Sequence, residues 1–388
     1  MMQHAILNGL LQQPSLLILL GAFIVLMALM IPAYFYVYRP KPDSTEWIGR
    51  LDRRSFKPLT AHKLNPADII WALIAIVCAC FLWMVYCILR RYEILLTDPL
   101  SFSLHHIRNT LPIALTALSL YLLQRLMFGK PLAAILISIV GSVCILSQPK
   151  GIALFSLSLL LLYLWICAPY DAPLFFRALW FAFSAAAYGL ALVFTFQLIW
   201  LAPFYLAVYI VMQVIRWKHG EPGKRGKKLA GSILLTLLLV LVGIVTVWLA
   251  FRVKRYHESP LDLLRSFSFY KSLLPRMLER LSKLTSRPSY WDALFYSDAF
   301  FFITGVFALV PLLHGLIKLR DTRCLFLLLL LPGLLMAWYF SACYALIPAF
   351  ALIIGWSWNL FVQRGRPLFA VGFAATFLLF YFAQLYFH

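Results

Sequence analysis

The sequence predicts an all-α fold, a polytopic bundle of transmembrane helices, and three observations predict it. Apolar residues make up 63% of the chain and charged residues only 12%, against roughly 45–50% and 25% in ordinary globular proteins. The apolar residues gather into runs of the length a membrane crossing needs, about 20 residues. Basic residues fall between the runs and concentrate in alternate connections, as positive charge on the inner side of a membrane requires.

Taken in order, spans are expected at Ser15–Tyr38, Ala67–Leu89, Asn109–Phe128, Pro131–Ser147, Gly151–Ala168 and Pro173–Leu190. They continue at Phe194–Ile215, Leu229–Phe251, Ala299–Leu319, Cys324–Ser341, Cys343–Val362 and Leu368–Phe387. That gives about twelve spans, within a range of ten to thirteen because the runs at Pro131 and Gly151 are short. The first run is long and lacks a small-residue cleavage site, so it reads as a retained span rather than a signal peptide. The organisation that follows is an added N-terminal helix with a basic inner loop (1–66), an N-terminal helical module (67–251), an outer segment (252–298) and C-terminal helices (299–388).

With the N-terminus outside, the inner connections hold 21 basic residues, from Arg39 to Arg366, and include Lys63, Arg125, Lys130, Lys318, Arg320, Arg323 and Arg364. The short outer ones hold only Arg90, Arg91, Arg108 and Lys150. The net charge of +20 therefore records membrane orientation and argues against nucleic acid, since the charge is dispersed over many connections. The seven cysteines all fall inside apolar runs, which points to packing and away from a disulfide framework or a zinc site.

The segment from Arg252 to Asp298 is basic yet outer, as long loops are permitted to be. Ser259-Pro260 with Asp262 reads as a helix start. Leu273, Leu274, Met277, Leu278, Leu281 and Leu284 then recur at helical spacing opposite Arg276, Arg280, Lys283 and Arg287. This predicts an amphipathic helix in the headgroup layer, interrupted at Pro275.

Ionisable groups are scarce within the spans, which counts against an ion-coupled transporter. They cluster at the outer face instead. Between Arg90 and Asn109 stand Glu93, Asp98, His105, His106 and Arg108. A carboxylate there suits a general base for an acceptor hydroxyl, and an arginine suits a phosphate oxygen. The same residues also suit an interfacial loop meeting lipid headgroups, with Asp98-Pro99 opening a turn. Arg252, Lys254, Arg255 and Arg265 invite an anionic partner, either a lipid-linked sugar phosphate or bulk anionic lipid.

The order of these features resembles the GT-C glycosyltransferases, multi-spanning enzymes that use polyprenyl-phosphate sugars. Arg108-Asn109 leading a helix that ends in Arg125-Leu126-Met127-Phe128-Gly129 is similar to that family's arginine-led second helix and its inner R-x-x-F-G turn. Ser147-Gln148-Pro149 stands where a serine-proline outer turn is common. Tyr344, followed by Leu346-Ile347-Pro348, resembles the family's late arginine-tyrosine pair, with Cys343 in the arginine's place. The likeness runs from Ala67 onward and leaves the first helix as an addition.

The resemblance implies sugar transfer from a polyprenyl-phosphate donor to a lipid, glycan or protein acceptor at the outer face. Asp98, or else Glu93, would deprotonate the acceptor. Arg108, Arg252, Lys254 or Arg255 would stabilise the departing phosphate, with Arg265, His105, His106 and Tyr344 as further binding residues. No metal site is assigned, and the one cofactor left open is a divalent metal. A divalent metal is compatible with the family, although two separated carboxylates hold one poorly. The expected partners are the lipid-linked sugar, membrane lipids and a possible membrane protein, and the expected location is a bacterial cytoplasmic membrane. The short first loop and Cys343 leave two alternatives open: a catalytically degenerate relative that binds lipid-linked sugar or supports a partner enzyme, and a lipid-linked glycan flippase.

Overall fold

The computed structural model describes residues 14–38, 56, 58–90, 99–143, 149–168, 174–195, 198, 201–218, 237, 241, 245, 248, 299–339 and 347–386. Those residues form helices and no strand. The helices are α1 (Pro14–Ala28), α2 (Met30–Tyr38), α3 (Ala67–Arg90), α4 (Pro99–Phe128), α5 (Pro131–Val143) and α6 (Pro149–Cys167). They continue with α7 (Leu174–Phe194), α8 (Ala202–Lys218), α9 (Ala299–Ile317), α10 (Thr322–Tyr339), α11 (Ile347–Gln363) and α12 (Pro367–Tyr386). Leu237, Leu241, Val245 and Trp248 are helical as well, and all four are exposed at three- and four-residue spacing.

Proline punctuates this architecture. It opens α1, α4, α5, α6 and α12, where its missing N–H belongs to the unpaired first turn anyway. Pro32 acts differently. Its ring removes the hydrogen bond that the Ala28 carbonyl would accept, and the first expected span is accordingly two helices broken at Leu29.

Four stretches are long and apolar enough to cross a membrane by length and composition: Ile18–Tyr38, Ala67–Ile88, Thr110–Phe128 and Lys150–Cys167. Seven shorter apolar stretches accompany them. Helix α5 has 13 residues, about 20 Å of rise, which is less than the hydrocarbon thickness of about 30 Å. Helix α4 departs the other way. It starts at Pro99 and not near Asn109, and its 30 residues extend about 45 Å. The serines and histidines of its first turns hide it from a hydropathy reading, yet a helix needs only backbone hydrogen bonds.

The core sits on α11, where every residue from Ile347 to Phe361 is buried. Around it pack α2, α4, α5, α9, α10 and α12. Helices α1 and α2 lean on α9, α11 and α12. Small residues permit the close approaches. A Cβ on Gly355 would clash with the Gln124 side-chain amide, and one on Gly305 with the Phe350 ring.

Helices α6, α7 and α8 form a second group held by hydrogen bonds. The Tyr205 hydroxyl lies 2.7 Å from both Ser158 Oγ and Ser184 Oγ, and Ser184 also donates to the Ser158 carbonyl at 2.9 Å. Such polar contacts between apolar helices hold them together where the surroundings offer no competing water. The aromatic stacks Trp165–Tyr209 and Tyr188–Tyr205 flank the cluster.

Outside this core the surface is apolar too. Ile69, Ile70, Trp71, Leu73, Val77, Phe81 and Met84 are exposed along α3, and Ile18, Val25 and Leu29 on the N-terminal helices. A surface of this kind is compatible with a membrane protein and unlike that of a soluble monomer.

Gly355→Ala tests the central packing. The new methyl has to displace the Gln124 amide, and overpacking of this type costs about 1–3 kcal/mol. Thermal unfolding in detergent should show a lower midpoint for it than for Gly372→Ala, where a Cβ meets nothing within 4 Å.

Candidate functional site

The described polar chemistry concentrates where α4 ends. The last carbonyls of any helix lack intrahelical donors. Here each is met by a named group. Gly129, at φ +87°, takes the left-handed conformation that ends helices and returns its N–H to the Arg125 carbonyl at 2.9 Å. The Leu126 carbonyl accepts from the His62 N–H at 2.9 Å. The Met127 carbonyl accepts from Arg323 Nη1 at 2.8 Å, and the Phe128 carbonyl from Gln363 Nε2 at 3.1 Å. Gly129's own carbonyl accepts from Arg125 Nη1 at 2.9 Å.

Two ion pairs hold these donors, one buried and one half-buried. Arg125 Nε donates to Asp68 Oδ1 at 2.8 Å, with both side chains largely sequestered. Asp68 also accepts from the Tyr121 hydroxyl at 3.0 Å and, through Oδ2, from the Asn65 N–H at 2.7 Å. The last contact is a helix-start device: Asn65 precedes Pro66, and an acid three residues on reaches back to its N–H. Arg323 donates Nε and Nη2 to the two oxygens of Asp321 at 2.9 and 2.7 Å. Its guanidinium carbon lies 5.7 Å from the Phe128 ring centroid and 5.8 Å from that of Trp356, within cation–π range of both.

The neighbouring helix ends close in similar ways. At the end of α11, Arg366 N–H returns to the Phe361 carbonyl at 2.8 Å and Gly365 N–H to that of Val362 at 3.2 Å, a Schellman motif. Arg320 ends α9 at φ +48°, a left-handed conformation that costs a non-glycine residue roughly 1–2 kcal/mol. Near the same end of α9, His314 Nδ1 lies 3.1 Å from the Tyr34 hydroxyl, with the Tyr34, Phe35 and Tyr38 rings around it. Among the described residues, the segments at Lys63, Lys130, Arg323 and Arg364, four of those expected to be basic on one side of a membrane, therefore meet at one end of the bundle.

The His62 ring lies against Gly129, whose Cβ, if present, would sit 3.1 Å from two ring atoms. Although much of the residue stays open to solvent, partial burial and the nearby guanidiniums of Arg323 and Arg125 hold its pKa below the ordinary histidine value.

Of the residues expected to carry chemistry, His105, His106 and Arg108 lie within the first ten residues of α4. Glu93, Asp98, Arg252, Lys254, Arg255, Arg265 and Tyr344 lie outside the described residues, as does the outer amphipathic segment. Among the described residues no three metal-ligating side chains converge. Sequence reasoning missed the Asp68–Arg125 and Asp321–Arg323 pairs as a unit. It also missed Gln124 and Asn359, whose buried amide oxygens have no hydrogen-bond partner among the described residues. The available signal was an acid in the first turn of α3 and an acid two residues before Arg323.

Compared with family models, curated proteins and solved structures, the chain matches none.

Two predictions follow from this geometry. Asp68→Leu strands the Arg125 guanidinium in a buried site, and breaking such a pair costs about 3–5 kcal/mol. Asp68→Leu/Arg125→Leu should recover much of that loss; a double-mutant cycle read by thermal unfolding would show additivity if the pair were not coupled. His62 supplies the second. Because its folded pKa is depressed, the unfolded chain binds the proton more readily, so stability is full above the unfolded pKa of about 6.5 and declines as pH falls below it. Unfolding midpoints across pH 5 to 8 should show this slope in the wild type and lose that component in His62→Gln.

Proposed function

We propose that this chain is a multi-pass membrane glycosyltransferase of GT-C type, which moves a sugar from a polyprenyl-phosphate donor to an acceptor at the outer membrane face. The membrane part of the reading is supported by the apolar exterior and by the gathering of basic turns at one end, taken as the inner face.

The observation that carries the functional part is α4. Counting back from the Phe128 end at 1.5 Å per residue, the roughly 30 Å of hydrocarbon is used up near Arg108. The ten residues from Pro99 to Arg108 then extend past the outer boundary, and His105 and His106 fall within them. Pro112 has no N–H for the Arg108 carbonyl, so the regular ladder is interrupted at that boundary. A single helix thus links the capped Arg125–Gly129 turn to the arginine-led segment, in the order that the resemblance requires.

In this mechanism Asp98, which immediately precedes α4, accepts the proton of the acceptor hydroxyl as it attacks the anomeric carbon. The glycosidic C–O bond to phosphate breaks, and the polyprenyl phosphate leaves with the bonding electrons. Arg108 and the basic residues Arg252, Lys254 and Arg255 offset the charge that develops on that phosphate. Glu93 is the second candidate base.

Purified protein in lipid nanodiscs, given a panel of radiolabelled polyprenyl-phosphate sugars and a hydroxyl-bearing lipid acceptor, should transfer label. Asp98→Asn should lower the rate by about 10²–10⁴-fold with an unchanged unfolding midpoint. Full activity in that variant would remove Asp98 from the mechanism. Absence of transfer by the wild type with every donor, with donor binding retained, would replace catalysis by a binding role.

A further inference from the structure

Gly355, Asn359 and Gln363 recur every four residues on α11, so they share one side of that helix, each about 6 Å further along it than the last. Both ends of this stripe touch α4. A Cβ on Gly355 would clash with the Gln124 side-chain amide, and Gln363 Nε2 donates to the Phe128 carbonyl at 3.1 Å. Asn359 lies between those two contacts and therefore in the same seam between α4 and α11.

The polar groups in this seam are left unmet by the protein. Gln124 is 0% exposed and Asn359 2% exposed. Neither Oε1 nor Nε2 of Gln124 has a hydrogen-bond partner, and neither has Oδ1 of Asn359. Described helices wall the seam on both sides: α11 is buried at every residue from Ile347 to Phe361, and α4 at every residue from Leu123 to Phe128. A buried amide without partners is costly, and an apolar residue of similar size would avoid that cost. Buried polar groups in folded proteins are met either by protein or by ordered water.

The donor and acceptor set selects the ligand. Gln124 supplies one donating and one accepting end whichever way its amide is turned, and Asn359 adds an acceptor. A molecule that both donates and accepts satisfies all three. A hard divalent cation would need about six oxygens, and an anion would face the two amide oxygens. Water fits, since a buried water takes about two to four polar partners. Asn359 is also one methylene shorter than Gln363, which does span the seam to a carbonyl of α4. We propose that the α4–α11 seam binds an internal water that bridges the Gln124 amide and Asn359 Oδ1, one turn above the α4 cap. The site rests on the packing of these two helices and is independent of the sugar-transfer reading.

A high-resolution cryo-electron microscopy map of the full chain in lipid nanodiscs should show a separate density peak within about 2.7–3.2 Å of both the Gln124 amide and Asn359 Oδ1. In Gln124→Leu/Asn359→Leu that peak should vanish. Each single leucine variant should lower the unfolding midpoint by about 2–4 °C, and the double variant should regain most of it. If the variants do not fold, solid-state NMR on the wild type decides instead: magnetisation should pass from water protons to the buried Gln124 side-chain amide. A direct hydrogen bond between Gln124 and Asn359, with no peak between them, would overturn the proposal. So would a third side chain that reaches into the seam and pairs with either amide.

Discussion

The carbonyl groups that end α4 are the constraint around which the rest of the structure is arranged. A carbonyl left unmet at a buried helix end costs about 1–3 kcal/mol. The chain meets the requirement with donors from three segments far apart in sequence: the His62 backbone, the Arg323 guanidinium and the Gln363 amide. Each donor ties a different part of the chain to one turn. The approach to α3, the start of α10 and the end of α11 are held in register by a task that is local to α4.

The donors need support of their own, which the ion pairs supply. A free guanidinium beside Met127 would be expensive, so Arg323 arrives already paired with Asp321 and sandwiched between Phe128 and Trp356. Trp356 in turn donates its indole N–H to the Pro311 carbonyl at 3.2 Å. Proline at 311 does not itself remove that carbonyl's helical donor, but the contact anchors α11 to α9 one turn above the His314 cluster. Charge, ring stacking and capping are therefore one connected arrangement, and none of its members is placed by propensity alone.

Much of the helix layout was legible in the sequence, because proline starts and apolar runs are local signals. Pro131, Pro149 and Pro367 each open a helix within two residues of an expected boundary. The Arg125-x-x-Phe128-Gly129 turn was marked through the family resemblance alone, and the left-handed conformation of Gly129 was not read. The break at Leu29 and the extension of α4 to Pro99 were not read. Both depend on backbone hydrogen bonding, to which hydropathy is blind. The partners of the cap were less legible still: nothing local in Gln363 or His62 names a carbonyl at residue 128 or 126. The outer candidates rest on residue type and order, and seven of them fall outside the described residues.

The contrast between the two ends of α4 bears on how an outer site would be positioned. From Thr110 to Phe128 the helix is mostly buried and locked at its lower end by the cap. Above that, Pro112 interrupts the ladder at Arg108, and Thr116 Oγ donates to the Pro112 carbonyl at 2.8 Å. Hydroxyl donation to the preceding turn and a missing N–H are both known causes of helix bending. Two causes of bending thus fall between the capped part of α4 and the segment that carries His105, His106 and Arg108.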